Sequence, residues 1–203
     1  YSGAMTTAFV LLTAMPPTTG HRDLIRFATN VGDTVEVILC TQPGEPYIQE
    51  RYDALIEAFA DNSAVRINRI HKTLPQEPED DPGFWDMWKG FLNQFGFQPG
   101  DYIVASEKYG IKLSEVAGGV FIPYDIDRTL NRAKATPVRQ DPLGNFANIL
   151  PEFQPHLRKR ITIFGAESTG KTTLSRILGS RPNSVWTPEW ARPYLEAVGA
   201  EVT

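Results

Sequence analysis

The residues best suited to chemistry in this chain fall in three short stretches, each made up like a phosphate-handling turn. Residues 165–172 read Gly-Ala-Glu-Ser-Thr-Gly-Lys-Thr and fill every fixed position of the pattern G-x-x-x-x-G-K-T. In that pattern backbone N–H groups cradle phosphates, the lysine reaches the outer ones, and the final hydroxyl can hold Mg²⁺. Gly165, Glu167, Ser168, Thr169, Gly170 and Lys171 would form such a loop here, with Thr172 as the candidate metal ligand. Earlier in the chain, Thr18-Thr19-Gly20-His21 lies between an apolar run and an amphipathic stretch. A turn there presents backbone N–H groups at a helix start, where anions are favoured. Gly20 would let a phosphate come close, and His21 would set an imidazole donor over it. The same four residues also read as a threonine cap, a turn glycine and a surface histidine. The third stretch, residues 134–139 (Lys-Ala-Thr-Pro-Val-Arg), offers a hydroxyl and a guanidinium. On its own Arg139 reads as a surface arginine.

These turns need elements to hold them, and the hydrophobic pattern supplies candidates. Residues 7–12 are a short apolar run, followed by a Pro-rich turn. A helical pattern then places Leu24, Ile25, Phe27 and Ala28 on one side. Residues 35–40 form a second apolar run, β-branched enough for a strand. Residues 49–60 read as a helix with Tyr52, Leu55, Ile56 and Phe59 at helical spacing. Val65 and Ile67 alternate with polar neighbours, as in a strand with one wet face. An acidic, Pro-rich loop spans 75–83, and an aromatic helix spans 84–95. Further strands are expected at 101–105 and 120–122. Strands alternating with helices predict an α/β fold: a Rossmann-like, doubly wound, mostly parallel sheet. Ligands in such sheets sit at the carboxyl ends of the strands, where the turn at 18–21 falls. A strand at 161–164, running straight into the glycine-rich loop, predicts a second, partial α/β unit. Residues 151–159, with two prolines, read as the linker.

Composition bounds the partners. Hydrophobic residues make up 41 % of the chain, enough for a real core. The net charge is −4 and the pI about 5.4, without the basic excess typical of nucleic-acid binders. Small phosphorylated ligands fit better than nucleic acid. No stretch approaches the roughly 18 apolar residues of a membrane helix. One cysteine, Cys40, permits no internal disulfide, so a reducing, cytoplasmic setting is expected; Cys40 itself reads as a small core residue. Residues 1–4 read as a cloning remnant before Met5. Oligomeric state is not legible here, and a homo-oligomer is compatible with the pattern.

Residues 15–21, Met-Pro-Pro-Thr-Thr-Gly-His, resemble the signature of the HxGH nucleotidyltransferases, with Thr18 in place of the first histidine. Residues 134–139 resemble that superfamily's second motif, of the form I-S-x-T-x-x-R, with Ala133-Lys134 replacing its Ile-Ser pair. The stretch from Arg139 to Pro151 and the run into the glycine-rich loop are similar to the bifunctional nicotinamide-nucleotide adenylyltransferase/ribosylnicotinamide kinase family. The resemblance covers nearly the whole chain from about Thr7. It implies an adenylyltransferase domain over residues 6–150 and the start of a kinase domain over 160–203. It also implies ATP contacts at Met15, Gly20, Thr136 and Ser106, with Thr136 capping a helix aimed at the triphosphate and Arg139 placing its fork on the outer phosphates. Ser106-Glu107 resembles the family's nucleotide-contacting turn, which would put Glu107 on the nicotinamide nucleotide, though the pair also reads as a polar loop after a buried strand. Trp85 or Trp88 could stack on a cationic nicotinamide ring, though both also read as packing residues. Glu189 and Arg192 resemble the kinase's acceptor contacts.

The implied reaction joins the phosphate of nicotinamide mononucleotide to the α-phosphorus of ATP, giving NAD and pyrophosphate. That nucleophile is already ionised at neutral pH, so alignment and charge neutralisation carry the catalysis. His21, Thr18, Arg139 and Mg²⁺ brought in with ATP would meet the charge on the leaving group. The kinase half, which would phosphorylate nicotinamide riboside, reads as incomplete in this chain. Two other readings stay open: a same-fold nucleotidyltransferase with another acceptor, and a nucleotide-binding sensor without turnover.

Overall fold

The computed structural model describes residues 5–75, 78–127, 129–130, 133, 135–181, 184–188 and 197. Lys134, Glu189 and Arg192 lie outside the described residues, as does the presumed remnant at 1–4. The chain divides into two compact units, Tyr1–Arg158 and Lys159–Thr203.

In the first unit a five-stranded sheet is built from β1 (Thr7–Leu12), β2 (Thr34–Thr41), β3 (Val65–His71), β4 (Tyr102–Ala105) and β5 (Val120–Pro123). The spatial order is β3-β2-β1-β4-β5, and every pairing is parallel. The apolar runs of β1 and β2 are explained by burial on both faces. Ala8, Val10 and Leu12 join Val35, Val37 and Leu39 in one core. Phe9 and Leu11 join Ile38 and Cys40 in a second core on the opposite face, as the two-residue period of a strand requires.

Helices cover both faces. α1 (Thr19–Val31) and α2 (Ile48–Ala58) bring Leu24, Ile25, Ala28, Ala54 and Leu55 to the first core. α3 (Phe84–Gln94) and α4 (Tyr109–Ala117) bring Leu92, Leu113 and Ala117 to the second. The expected α/β, doubly wound parallel architecture is therefore present. The strand order reverses between β1 and β4, so the switch point, where such sheets open a crevice, lies at the carboxyl ends of these two strands.

Several expectations need correction. Ile56 is 43 % exposed, while Arg51 on α2 is fully buried, so the helix is rolled from the predicted face. Residues 151–159 are not a free linker up to 158. Phe153 is buried in the first core, and α6 (Gln154–Leu157) follows it, with Gln154 donating to the carbonyls of Phe146 and Ile149 at 3.2 Å each. The prolines there shape a packed tail of the first unit.

The second unit contains α7 (Lys171–Gly179). The strand expected at 161–164 does not form, because among the described residues no neighbouring strand offers it a ladder. Ile161 and Phe164 are 75 % and 90 % exposed.

Candidate functional site

The segment after β1 is built around one reciprocal contact. Thr18 is the N-cap of α1, with extended φ and ψ of −122° and 164°. Its backbone N–H donates to Nδ1 of His21 at 3.0 Å, and its hydroxyl lies 3.0 Å from the same nitrogen. This is a capping box in which histidine replaces the usual glutamate. Because Nδ1 accepts the amide proton, the neutral ring carries its own proton on Nε2. The capping geometry therefore fixes both the tautomer and the orientation of the imidazole. Thr18 itself is wholly buried, and its hydroxyl, 3.4 Å from the Ala133 carbonyl, sets the cap against the second motif.

Gly20 works differently from the sequence-based expectation. A Cβ there would stand 2.7 Å from the Ala133 carbonyl oxygen. The missing side chain lets the backbone of the second motif approach, rather than leaving room for a phosphate alone.

The second motif lies on α5 (Ala135–Gln140). Thr136 is inside the first turn of that helix and does not cap it as expected; its hydroxyl accepts from Arg139 Nη2 at 3.2 Å. Arg139 Nη1 donates to the Met15 carbonyl at 2.7 Å. Arg139 makes no ion pair among the described residues. The turns after β1 and after β5 thus meet through Gly20–Ala133, Thr18–Ala133 and Met15–Arg139.

Between them opens a cleft of about 590 Å³, at the switch point. Gly20, His21, Ser106, Glu107, Thr136 and Arg139 line it, and Trp85 and Trp88 form part of its aromatic side with Phe84. Two expected site residues stand apart: Thr18 is buried behind the cleft, and Met15 reaches it only through Arg139. The tryptophans line the cleft and also serve as packing residues. They pack on the second core and are locked by aromatic contacts, with Phe84–Trp85 centroids 5.0 Å apart at 82°. Among the described residues the buried Trp88 indole N–H has no acceptor.

Three contributors were missed in the sequence. Tyr109 lines the cleft and donates to the Leu11 carbonyl at 3.1 Å. The residue as a whole is 36 % exposed, yet its hydroxyl end is enclosed; burial foremost, then Glu107 and Cys40, push that hydroxyl above the ordinary tyrosine range. Cys40 lies at the cleft floor, its thiol pushed up to about 12 by burial and then by Glu45. Glu45, also on the cleft wall, accepts from Arg51 Nη2 at 2.6 Å. In the sequence, residues 42–45 (Gln-Pro-Gly-Glu) read as a turn, and nothing in it signals a buried arginine.

In the second unit Gly170 caps α7 with φ +77° and Ser168 has φ +57°, left-handed values that favour glycine at position 170. Thr169 donates its hydroxyl to the Ala166 carbonyl at 2.7 Å, and Lys171 Nζ folds onto the same carbonyl. Gly165, Glu167 and Thr172 sit on the exposed loop and helix start around it. Ser168 and Gly170 thus give the loop two left-handed positions just before α7.

A family model described as an AAA domain matches residues 160–203. Over 197 residues, 89 % of this chain, the sequence is 25 % identical to the trifunctional NAD biosynthesis/regulator protein NadR of Salmonella typhimurium, and equally so to its Escherichia coli counterpart. The chain spans about half the length of these curated relatives, 47 % in each case. A crystal structure of NadR protein in complex with NR superposes with a TM-score of 0.75, 24 % identity, and coverage of 97 % of this chain and 58 % of that one. A NadR structure in complex with NAD and AMP-PNP gives 0.74, 23 % identity, and coverage of 98 % and 59 %. The chain is thus similar to NAD-biosynthesis proteins and shares their α/β fold.

Proposed function

We propose that the first unit transfers the adenylyl group of ATP to nicotinamide mononucleotide, forming NAD and pyrophosphate. The observation that carries the reading is the convergence of the turns after β1 and β5 on one cleft at the switch point, with an imidazole and a guanidinium on its wall. The likeness to NAD-biosynthesis relatives over 89 % of the chain supports it.

In this reading the triphosphate lies over the start of α1, where the backbone N–H groups and the Nε2–H of His21 meet it. Arg139 exchanges its bond to the Met15 carbonyl for the phosphates; a charged acceptor is the stronger partner. Gly20 and Thr18 act from behind, holding α1 against the second motif. Trp85 and Trp88 flank the acceptor's cationic ring, and Glu107 and Ser106 contact nucleotide from the turn after β4. No group of three or more His, Cys, Asp or Glu side chains able to hold a metal ion occurs among the described residues. Mg²⁺ is proposed to arrive with ATP, where it would neutralise charge on the outer phosphates. The attacking phosphate is already anionic, so no protein base is required; the residues align and stabilise.

The glycine-rich loop of the second unit is proposed to serve phosphoryl transfer to nicotinamide riboside in a longer protein. Lys171 would leave the Ala166 carbonyl for the phosphates, and Thr172 would hold Mg²⁺. Glu189 and Arg192 remain its proposed acceptor contacts. The one buried cysteine and a site for small nucleotides suit a cytoplasmic protein, and among the described residues no helix is long and apolar enough to cross a membrane.

The test is an acceptor panel. With ATP and Mg²⁺, pyrophosphate release should require nicotinamide mononucleotide and should fail with phosphopantetheine or cytidylyl-type acceptors. Release with one of those instead would assign a different nucleotidyltransferase. ATP binding without release from any acceptor would favour a sensor.

A further inference from the structure

Beside the cleft lies a separate pocket of about 190 Å³, and we propose that it is a second ligand site that takes a small aromatic carboxylate. Its depth is defined by Arg51, whose side chain is 1 % exposed. Glu45 occupies only Nη2 of this guanidinium; among the described residues Nε and Nη1 are buried with no hydrogen-bond partner. Buried polar groups in folded proteins are nearly always satisfied, and an orphaned donor on a charged group is especially costly. An acceptor entering the pocket would satisfy it.

Charge and shape then select the acceptor. Arg139 also lines this pocket and has no carboxylate partner among the described residues. The pocket is thus lined by two arginines and by no carboxylate residue among those described, and it favours an added anion. The remaining walls are apolar: Pro46, Tyr47, Val138, Phe153 and Leu157. Tyr47 and Phe153 meet edge to face, 5.7 Å apart at 90°. A bare phosphate or sulfate would leave those walls unfilled and lose its own hydration. A flat ring bearing one carboxylate fills them and delivers the anion. The volume, below the roughly 300–1,000 Å³ of drug-sized sites, limits the ligand to about one ring. This inference does not depend on the reaction assigned to the cleft.

The experiment is a titration of the ¹⁵N-labelled full chain with benzoate, followed by amide shifts at Tyr47, Val138 and Phe153. Benzamide serves as the uncharged isostere and inorganic phosphate as the ringless anion. Benzoate should give saturable shifts at these residues, benzamide should bind about tenfold or more weakly, and phosphate should leave them unmoved. Arg51→Met should lose the benzoate shifts. Should that variant fail to fold, Leu157→Trp, which fills the pocket from a half-exposed position, should lose them with unchanged circular dichroism. The proposal is overturned by equal binding of benzamide, by phosphate moving the same amides, by benzoate shifts confined to the cleft, or by no saturable shift at all. Retention of the shifts in a folded Leu157→Trp protein overturns it as well.

Discussion

The backbone N–H of Thr18 donates to Nδ1 of His21 at 3.0 Å, so the residue that starts the helix also sets the tautomer of the imidazole on the cleft wall. Structure and proposed chemistry meet in that single bond. Thr18→Val keeps the amide donor but removes the hydroxyl that reaches both His21 Nδ1 and the Ala133 carbonyl. The expected result is a loss of about 1 kcal/mol in urea unfolding with a modest fall in kcat. A collapse of activity without loss of stability would give the hydroxyl a direct role in the reaction.

Gly20→Ala should be more damaging than its size suggests. The new Cβ would stand 2.7 Å from the Ala133 carbonyl, and backbone must shift to admit it. We expect a cost of about 1–3 kcal/mol, together with a raised KM for ATP as the two motifs separate. Thermal melts and initial rates on one preparation check both.

Arg139→Lys tests the fork. A lysine cannot bridge Met15 and Thr136 and then present two parallel donors to phosphate. Since the side chain is exposed, the melting temperature should stay nearly constant while kcat/KM falls on the order of 10- to 100-fold.

Glu45→Gln removes the charge partner of a buried arginine. Breaking such a pair typically costs about 3–5 kcal/mol, and denaturant unfolding should show a loss of that order. A neutral outcome would mean that Arg51 finds another acceptor in the variant.

Cys40 supplies a pH prediction with a definite sign. Its thiol is raised from 9.0 to about 12 by burial and then by Glu45. The folded state therefore holds its proton more tightly than the unfolded chain. The resulting stability is fully present below about pH 9 and is lost as pH rises toward 12. Aromatic disulfide reagents at pH 8 should label the native protein far more slowly than the protein in urea, and Cys40→Ala should weaken the alkaline loss of stability.

Much of this was legible in the chain, for identifiable reasons. The alternation of apolar runs with amphipathic stretches predicts the parallel sheet and sets the turn after β1 at the carboxyl edge of its strands. Gly20, His21, Thr136 and Arg139 could be picked out because their types and spacing suit phosphate. Arg51 could not, since an arginine at helical spacing reads as solvent-facing until its partner Glu45, six residues earlier, is seen folded back on it. The reason for Gly20 was likewise hidden, because Ala133 is far away in sequence. Helix α4 escaped because its apolar residues are interrupted by Gly110, which lies where a Cβ would strike the Phe121 ring. The strand expected at 161–164 failed for the opposite reason: its local pattern was sound, but pairing is a property of neighbours.

The most direct measurement of the central claim is NAD formation from ATP, Mg²⁺ and nicotinamide mononucleotide, read through a coupled dehydrogenase for wild type, His21→Ala and Lys171→Ala. The account predicts NAD from wild type, the same rate from Lys171→Ala, and a loss on the order of 10²–10³ for His21→Ala, the usual effect of removing one transition-state donor. No NAD from a folded wild-type chain that still binds ATP, or an undiminished rate in His21→Ala, would contradict it.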